Sequence, residues 1–185
     1  MIFSELDHRM SVVKRWGIVH TLQTQSVAEH VFNVTRIADR IAFSWFAITD
    51  AWVLLEINRY AQHHDDLESL IGDVPSMVKD CIDEKELRRR YTDLIPMIDP
   101  PKSPVTIKVV KLADILEAII FLNMELSLGN RSVYRILEHH EERLRTFMDD
   151  NKLPYWGHYV RLIEFMFKDG YISEPYDRRA EDDSA

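Results

Sequence analysis

Hydrophobic residues recur at helical spacing through most of this chain. The clearest row consists of Val27, His30, Val34, Ile37 and Ile41. Steps of three and four residues place this row on one face of an amphipathic helix. No stretch alternates apolar and polar residues strongly enough to predict a strand. The pattern therefore predicts an all-α helical bundle.

Turn signals divide the rest of the chain into further predicted helices. Gly72-Asp73-Val74-Pro75 and Asp99-Pro100-Pro101 are typical of turns, and Gly129-Asn130 is typical of a helix C-terminus. Further helices are predicted over residues 48–62, 84–97, 105–128, 132–149 and 154–168. The helix over 105–128 is nearly all apolar, which predicts that it forms the buried centre of the bundle.

The composition indicates a single folded domain. The chain has 185 residues, of which 46% are hydrophobic, enough to bury a substantial core. We predict one domain over residues 1–175 and a polar tail over residues 176–185. Charges interrupt the apolar runs before they reach the length of a membrane span, and the charged first ten residues do not resemble a signal peptide.

Charge and cysteine content narrow the expected class further. A net charge of −8 without a basic stripe disfavours a nucleic-acid-binding surface. The single cysteine, Cys81, excludes an intramolecular disulfide and fits a reducing cytoplasm. We therefore expect a cytoplasmic protein that binds neither nucleic acid nor membrane.

Residues suited to a metal occur in the order His30, His64-Asp65, Asp114. Histidine and carboxylate together favour a divalent ion of the Mn, Fe, Co or Zn type over calcium. A metal that prefers about six ligands keeps positions open for water and substrate oxygens when the protein supplies four. This arrangement indicates a hydrolase.

Each of these residues also has a structural alternative. His30 lies on the apolar row, where a histidine can simply be a hydrogen-bonded core residue. Asp114 lies in the apolar helix, where a buried carboxylate needs a cation, and Lys111 could form that ion pair. Glu68 shares a helical face with His64, so it could be a general acid or base, or a solvated helix residue. The combination favours metal binding.

Several stretches together resemble the HD-domain phosphohydrolases, a metal-dependent all-helical superfamily. They are Arg15-Trp16, Gln25-Ser26-Val27-Ala28-Glu29-His30, His64-Asp65-Asp66-Leu67-Glu68, Gly72-Asp73-Val74-Pro75, Val78-Lys79 and Val110-Lys111-Leu112-Ala113-Asp114. These stretches span about 100 residues and resemble in particular the small bacterial 5′-deoxynucleotidases and the phage dATP triphosphohydrolases. The resemblance implies an HD-domain helical bundle whose central buried helix carries the last metal ligand.

The resemblance also implies a role for each matching residue. The implied metal ligands are His30, His64, Asp65 and Asp114. Glu68 resembles the catalytic glutamate, and Arg15 resembles a phosphate-binding arginine that assists catalysis. Trp16 resembles the aromatic residue beside sugar and base, and Asp73 resembles the group that meets the deoxyribose 3′-hydroxyl. Lys79 and Lys111 lie where a phosphate tail could reach them, although either could be a surface or ion-pair residue.

These roles lead to an expected reaction at the phosphorus that bears the nucleoside 5′-oxygen. Lys79 and Lys111 add two cations to Arg15, more than a monophosphate needs. Trp16 and Ile18 could form an apolar wall that accepts adenine and leaves the 2-amino group of guanine unpaired. We therefore expect a phage-type dATP triphosphohydrolase that depletes dATP by releasing deoxyadenosine and triphosphate, with dADP and dAMP as further candidate substrates.

Two alternatives stay open at this point. A 5′-deoxynucleotidase would hydrolyse deoxynucleoside monophosphates, and a catalytically inactive HD module would act as a regulator. The expected cofactor is a divalent transition metal (Co, Mn, Zn or Fe), with additional Mg as an option beside the phosphates. The resemblance further implies a homo-oligomer, either a hexamer or a dimer, and a location in the host cytoplasm if the chain is of phage origin.

Overall fold

The computed structural model describes residues 8–75, 81–90 and 101–153. Its helices are α1 (Val27–Ser44), α2 (Ala51–His63), α3 (Glu68–Ile71), α4 (Glu84–Arg90), α5 (Pro104–Ser127), a 3₁₀ turn (Arg131–Val133) and α6 (Tyr134–Asp150). Within these ranges the only extended pairing is a single antiparallel bridge between Lys14 and Ser26. The prediction of an all-α fold is confirmed.

Most predicted helices agree with the observed ones to within a few residues. The predicted helix 105–128 is α5, and the predicted helix 132–149 is the 3₁₀ turn followed by α6. α4 accounts for the first half of the predicted helix 84–97. Residues 91–97, the predicted helix 154–168 and the predicted tail lie outside the described residues.

A capping box fixes the start of α1. The Ser26 hydroxyl accepts a hydrogen bond from the Glu29 backbone N–H (3.1 Å), and the Glu29 carboxylate accepts one from the Ser26 backbone N–H (2.7 Å). The predicted apolar row, including His30, is buried along this helix. The cap therefore sets the register that turns His30 inward, and Glu29 is committed to the helix terminus.

α2 begins at Ala51, three residues later than the sequence pattern predicted. The reason is Asp50, whose side chain accepts hydrogen bonds from the backbone N–H groups of Trp52 (2.8 Å) and Val53 (3.1 Å). An aspartate in this position satisfies donors that the first helical turn leaves open, so it defines the helix start. The same helix ends at His63, which places the His64-Asp65 pair directly after its C-terminus.

The chain divides into two compact units, residues 1–117 and 118–185. In the first, α5 buries Val109, Leu112 and Leu116. In the second, α5 ends before Gly129, whose φ of 92° is the left-handed conformation expected at a helix C-terminus. Every site residue predicted from the sequence that the structure describes belongs to the first unit.

No helix within residues 8–75, 81–90 and 101–153 combines the length and apolar character that crossing a bilayer requires.

Glu56 of α2 caps the N-terminus of α5. Its carboxylate accepts hydrogen bonds from the Thr106 hydroxyl (2.7 Å) and from the backbone N–H groups of Lys102 (2.8 Å) and Ser103 (3.2 Å). The bond from Thr106, followed by those from the backbone, lowers the pKa of Glu56 below its ordinary value. These bonds join α2 to the start of α5, the helix that carries Asp114.

We expect Glu56→Gln to lower the free energy of unfolding by about 1 kcal/mol at neutral pH, because the amide loses one acceptor and the negative charge at a helix start. Since folding lowers the pKa of Glu56, the stabilisation is complete above the unfolded-state pKa and is lost as the pH falls through the folded-state pKa. Urea unfolding at pH 7 and at acidic pH measures the difference. Glu142→Gln, at an exposed carboxylate paired with Arg145, is the matched control. Equal stability of Glu56→Gln and the wild type at pH 7 would refute the cap.

Candidate metal centre

Three of the four sequence-predicted ligands meet around one oxygen atom. Nε2 of His30 lies 3.4 Å from Oδ2 of Asp65, and Nε2 of His64 lies 3.3 Å from the same oxygen. One donor atom from each of these three residues lies within 4.8 Å of the other two. Asp114 adjoins them, with its Oδ1 3.4 Å from Nε2 of His30. The structure therefore brings His30, His64, Asp65 and Asp114 into one cluster.

Three separate elements supply this cluster. His30 lies in the first turns of α1, His64-Asp65 follows α2, and Asp114 lies in the middle of α5. Each element is held by its own cap or buried face, so the fold itself fixes the positions of the donors. Such preorganisation is what a metal site requires of its protein.

The hydrogen bonds of the two imidazoles decide which nitrogen faces the cluster. Nδ1 of His30 donates to Oε2 of Glu117 (2.6 Å), and Nδ1 of His64 donates to the carbonyl of Ala61 (2.7 Å). In its neutral form, which metal binding requires, each ring therefore has its lone pair on Nε2, on the side of Asp65. Both Nε2 atoms are buried and have no hydrogen-bond partner.

A buried polar nitrogen without a partner costs about 1–3 kcal/mol. A cation at this position would engage both imidazole lone pairs and both carboxylates at once, so the donor set fits a divalent metal. The alternative of a protonated core histidine pairs Nε2 of His30 with Oδ2 of Asp65 and Oδ1 of Asp114, but both distances are 3.4 Å, longer than a normal charge-assisted hydrogen bond.

Glu117 adjoins the cluster and was not predicted from the sequence. It is buried on α5, and besides His30 it accepts hydrogen bonds from Nε2 of Gln25 (2.6 Å) and Nδ2 of Asn33 (3.2 Å). A carboxylate that holds the far nitrogen of a ligating histidine fixes the ring and raises its basicity. The signal was present, because Glu117 follows Asp114 by three residues in the same apolar helix.

The cluster has a negative potential that favours a cation. Burial lowers the pKa of His30 and so does Arg15, but Glu117, Asp114 and Asp65 outweigh both and raise it to about 10. Burial by itself would raise the pKa of Asp114, but the nearby His30 imidazole and the charge of Lys111 bring it well below its usual range. The carboxylates that attract a proton to His30 would attract a metal ion to the same nitrogen.

Arg15 adds a buried guanidinium to the edge of the cluster. Its Nη1 lies 3.4 Å from Oδ2 of Asp65, and its side chain is 10% exposed. Nε of Arg15 is buried without a hydrogen-bond partner. An arginine next to a metal cluster with a donor to spare is suited to an anionic oxygen, such as that of a phosphate.

Trp16 adopts a backbone conformation that is unusual for a large side chain. Its φ is 62°, in the left-handed region. The Trp16 backbone N–H donates to Oδ2 of Asp73 (2.8 Å), and the indole Nε1 donates to Oε1 of Gln25 (3.0 Å). Asp73 therefore holds the turn at Trp16. Ile18, two residues later, is 80% exposed, so most of its side chain faces solvent.

The remaining predicted site residues fall into three groups. Glu68 is 3% exposed and both of its carboxylate oxygens are buried, which excludes the solvated-residue alternative. Lys111 forms the ion pair considered from the sequence, with its Nζ 3.2 Å from Oδ2 of Asp114. Lys79 lies outside the described residues.

Comparison with known proteins places this geometry in a family. A family model described as 5′-deoxynucleotidase YfbR-like matches residues 2–94, about half of the chain. The chain belongs to this family. The YfbR-like match includes Arg15, His30, His64-Asp65, Glu68 and Asp73. It ends before α5, from which the structure supplies Asp114 and Glu117.

Curated relatives of this YfbR-like chain are named hydrolases of two kinds. A dATP triphosphohydrolase of Acinetobacter phage SH-Ab 15497 is 32% identical over 62% of this chain. The chain covers 64% of that phage enzyme, slightly less than two thirds of its length. A 5′-deoxynucleotidase of Vibrio cholerae is 25% identical, over 76% of this chain and 87% of the relative.

Solved structures show the same fold. The HD phosphohydrolase DatZ of cyanophage S-2L, solved with dA and one catalytic Zn²⁺ ion, has a TM-score of 0.64 and 24% identity, and the match covers 91% of this chain and 94% of DatZ. An HD-domain phosphohydrolase from Listeria innocua has a TM-score of 0.61 and 17% identity, over 80% of this chain and 78% of the other. The YfbR-like chain thus has the HD-phosphohydrolase fold.

Proposed function

We propose that this protein is a metal-dependent deoxynucleotide phosphohydrolase that converts dATP to deoxyadenosine and triphosphate. The observation that supports this most strongly is the pair of buried, unpartnered Nε2 atoms of His30 and His64 beside Asp65. The buried Arg15 at the same oxygen gives the cluster a binding group for phosphate. An inactive regulatory module would have no use for this combination.

His30, His64, Asp65 and Asp114 would hold the ion, and their donor set suits Co, Mn, Zn or Fe. When bound, a divalent metal supplies Lewis acidity toward a phosphoryl oxygen and toward water. The Zn²⁺ ion in the structurally similar DatZ supports this assignment. Glu117 would keep Nε2 of His30 available to the ion by accepting a hydrogen bond from the N–H at Nδ1.

The chain's own residues would handle the phosphate and the leaving group. Arg15 would bind nonbridging oxygens of the phosphoryl group and stabilise the charge that develops there. Glu68, buried four residues after His64, would hold a proton and deliver it to the departing nucleoside 5′-oxygen. Because the side chains of Arg15 and Glu68 are buried, the electrostatic contribution of each is larger than it would be in water.

The nucleoside would lie beside Trp16. The indole ring provides a flat surface for sugar and base, and Asp73, besides holding the Trp16 turn, has a second oxygen that could accept from the 3′-hydroxyl. Ile18 would approach the base edge from the exposed side of this turn. The 32% sequence identity to the phage dATP triphosphohydrolase and the dA bound by DatZ support adenine as the base.

A 5′-deoxynucleotidase is the second candidate, and one contact favours it. Lys111 is paired with Asp114, so it is less available for the outer phosphates of a triphosphate. Chromatographic product analysis on deoxynucleoside mono-, di- and triphosphates with Co, Mn, Mg and Zn separates the candidates. Triphosphate from dATP supports the proposal, phosphate from monophosphates alone supports the nucleotidase, and no product with any metal refutes both.

Lys111 provides a finer test of the phosphate tail. If it moves from Asp114 to an outer phosphate, Lys111→Ala should reduce kcat/KM for dATP roughly 10-fold more than for dAMP, the effect of one charged hydrogen bond. Steady-state kinetics on both substrates measure this ratio. Lys108→Ala, an exposed lysine on the same helix, is the control and should leave the ratio unchanged. Equal losses on both substrates would mean that Lys111 acts only through Asp114.

A further inference from the structure

A continuous chain of hydrogen bonds joins Trp16 to the candidate metal ligand His30. The indole Nε1 of Trp16 donates to Oε1 of Gln25 (3.0 Å), and Nε2 of Gln25 donates to Oε1 of Glu117 (2.6 Å). The other oxygen of Glu117 accepts from Nδ1 of His30 (2.6 Å). Gln25 accepts through its oxygen and donates through its nitrogen, and Glu117 accepts one bond on each oxygen, so donor and acceptor roles are defined along the whole chain of bonds.

Gln25 is the link in this chain that must both accept and donate a hydrogen bond. It is 6% exposed, and it needs an acceptor toward Trp16 and a donor toward Glu117. A glutamate would place a second carboxylate against Glu117, and a methionine of similar length would make neither hydrogen bond. The Gln25 backbone carbonyl also accepts from the Arg15 backbone N–H (2.8 Å), so both parts of the residue hold the Arg15-Trp16 turn.

The turn at Trp16 needs such support. A bulky residue at a φ of 62° is strained, by about 1–3 kcal/mol, and persists only where the surroundings hold it. Asp73 holds its backbone N–H, while Gln25 holds the indole ring. The indole ring and Glu117 thus share Gln25 as a hydrogen-bond partner.

We infer that Gln25 is a positioning residue that couples nucleoside contact at Trp16 to metal affinity at His30. This inference rests on the proposed function. A nucleoside that settles the indole ring strengthens the bond from Gln25 to Glu117, which in turn fixes the imidazole of His30. Coupling between two binding sites is reciprocal, so a bound metal also tightens nucleoside binding by the same factor.

The first measurement uses Co²⁺ alone, followed through its visible absorption. Gln25→Met should bind Co²⁺ roughly 10-fold more weakly than the wild type, as expected when an outer hydrogen-bond partner of a ligand is disturbed. The ligand-field bands should shift, because His30 is no longer held in one orientation. Gln62→Met, the same change at an exposed glutamine of α2, should leave affinity and spectrum as they are in the wild type.

The second measurement tests the coupling with 2′,5′-dideoxyadenosine, which has no 5′-oxygen to reach a metal directly. Saturating Co²⁺ should lower its Kd about 5-fold or more for the wild type, the usual range for coupled sites. The ratio of the two Kd values should fall to about one in Gln25→Met. Trp16→Phe keeps the aromatic surface and Gln25 but loses the N–H donor, so its ratio should fall in the same way.

The outcomes distinguish failure of the coupling between Trp16 and His30 from failure of the proposed function. If the wild type binds Co²⁺ and the ratio is unchanged in both variants, the inference is overturned and the proposed function stands. If the wild type shows no difference in nucleoside Kd with and without Co²⁺, the coupling is likewise refuted. Failure of the wild type to bind Co²⁺ would overturn both.

Discussion

We expect the Asp65→Ala variant to lose its bound metal and to hydrolyse deoxynucleotides slower than the wild type by a factor on the order of 10³ or more, the share that a metal contributes through charge stabilisation. Oδ2 of Asp65 is the atom that His30, His64 and Arg15 all approach, at 3.4, 3.3 and 3.4 Å. Its removal takes away the central anion and leaves the Arg15 guanidinium buried without its partner. Elemental analysis and kinetics on the same preparation measure both losses.

A control variant is needed that also loses an aspartate but should fold like the wild type. Asp39→Ala removes an exposed aspartate from α1 and should keep both the metal and the activity. Far-UV circular dichroism shows whether Asp65→Ala retains its helices. A helical, metal-free Asp65→Ala protein with wild-type activity would refute the proposed function as a whole.

Glu68→Gln should keep the metal and bind nucleotide, yet lose roughly 10²–10⁴-fold in kcat, the usual contribution of general acid–base catalysis. Glutamine has the shape of glutamate, so the packing around this buried residue is retained. The defect should shrink for a 5′-thio analogue of the substrate, because a thiolate leaves without needing a proton. Metal content, nucleotide Kd and kcat on both substrates separate the proton-transfer role from binding.

Glu86→Gln, at an exposed carboxylate that pairs with Arg89 and Arg90 on α4, is the matched control. It should leave all three quantities unchanged. A Glu68→Gln protein that loses its metal, with an activity loss that matches the metal loss, would instead identify Glu68 as a ligand. An equal defect on the oxygen and sulfur substrates would argue against proton donation to the leaving group.

The main candidate ligands could be predicted from the order and spacing of residues in the sequence. The apolar row on α1 placed His30 on a buried face, and the position of Glu68 four residues after His64 placed it beside the ligands. Only the first inference follows from helical periodicity. The expectation that His64 and Glu68 share a helical face is wrong, because α2 ends at His63 and α3 begins at Glu68, with a turn between them. The apolar surroundings of Asp114 and the order of His30, His64-Asp65 and Asp114 suggested the fourth ligand, and the family resemblance then supported it.

The hydrogen-bond partners of the supporting residues could not be anticipated in the same way. Glu117 and Gln25 act through hydrogen bonds between α5 and the loop before α1, and such contacts depend on how distant segments pack. The positive φ of Trp16 depends on Asp73, fifty-seven residues away. The exposure of Ile18 likewise reflects the path of the loop rather than the residue's apolar character.

The loop between Lys14 and Ser26 is closed at its neck by the bridge between these two residues and by the Arg15–Gln25 backbone hydrogen bond. Arg15, Trp16 and Gln25 all lie at this neck, whereas residues 17–24 at the tip are mostly exposed. Insertions and substitutions are tolerated best where the ends of a loop stay fixed and its tip is open. Evolution or an engineer could therefore recast the tip to admit different bases while the catalytic apparatus stays intact, so that substrate choice and chemistry change independently.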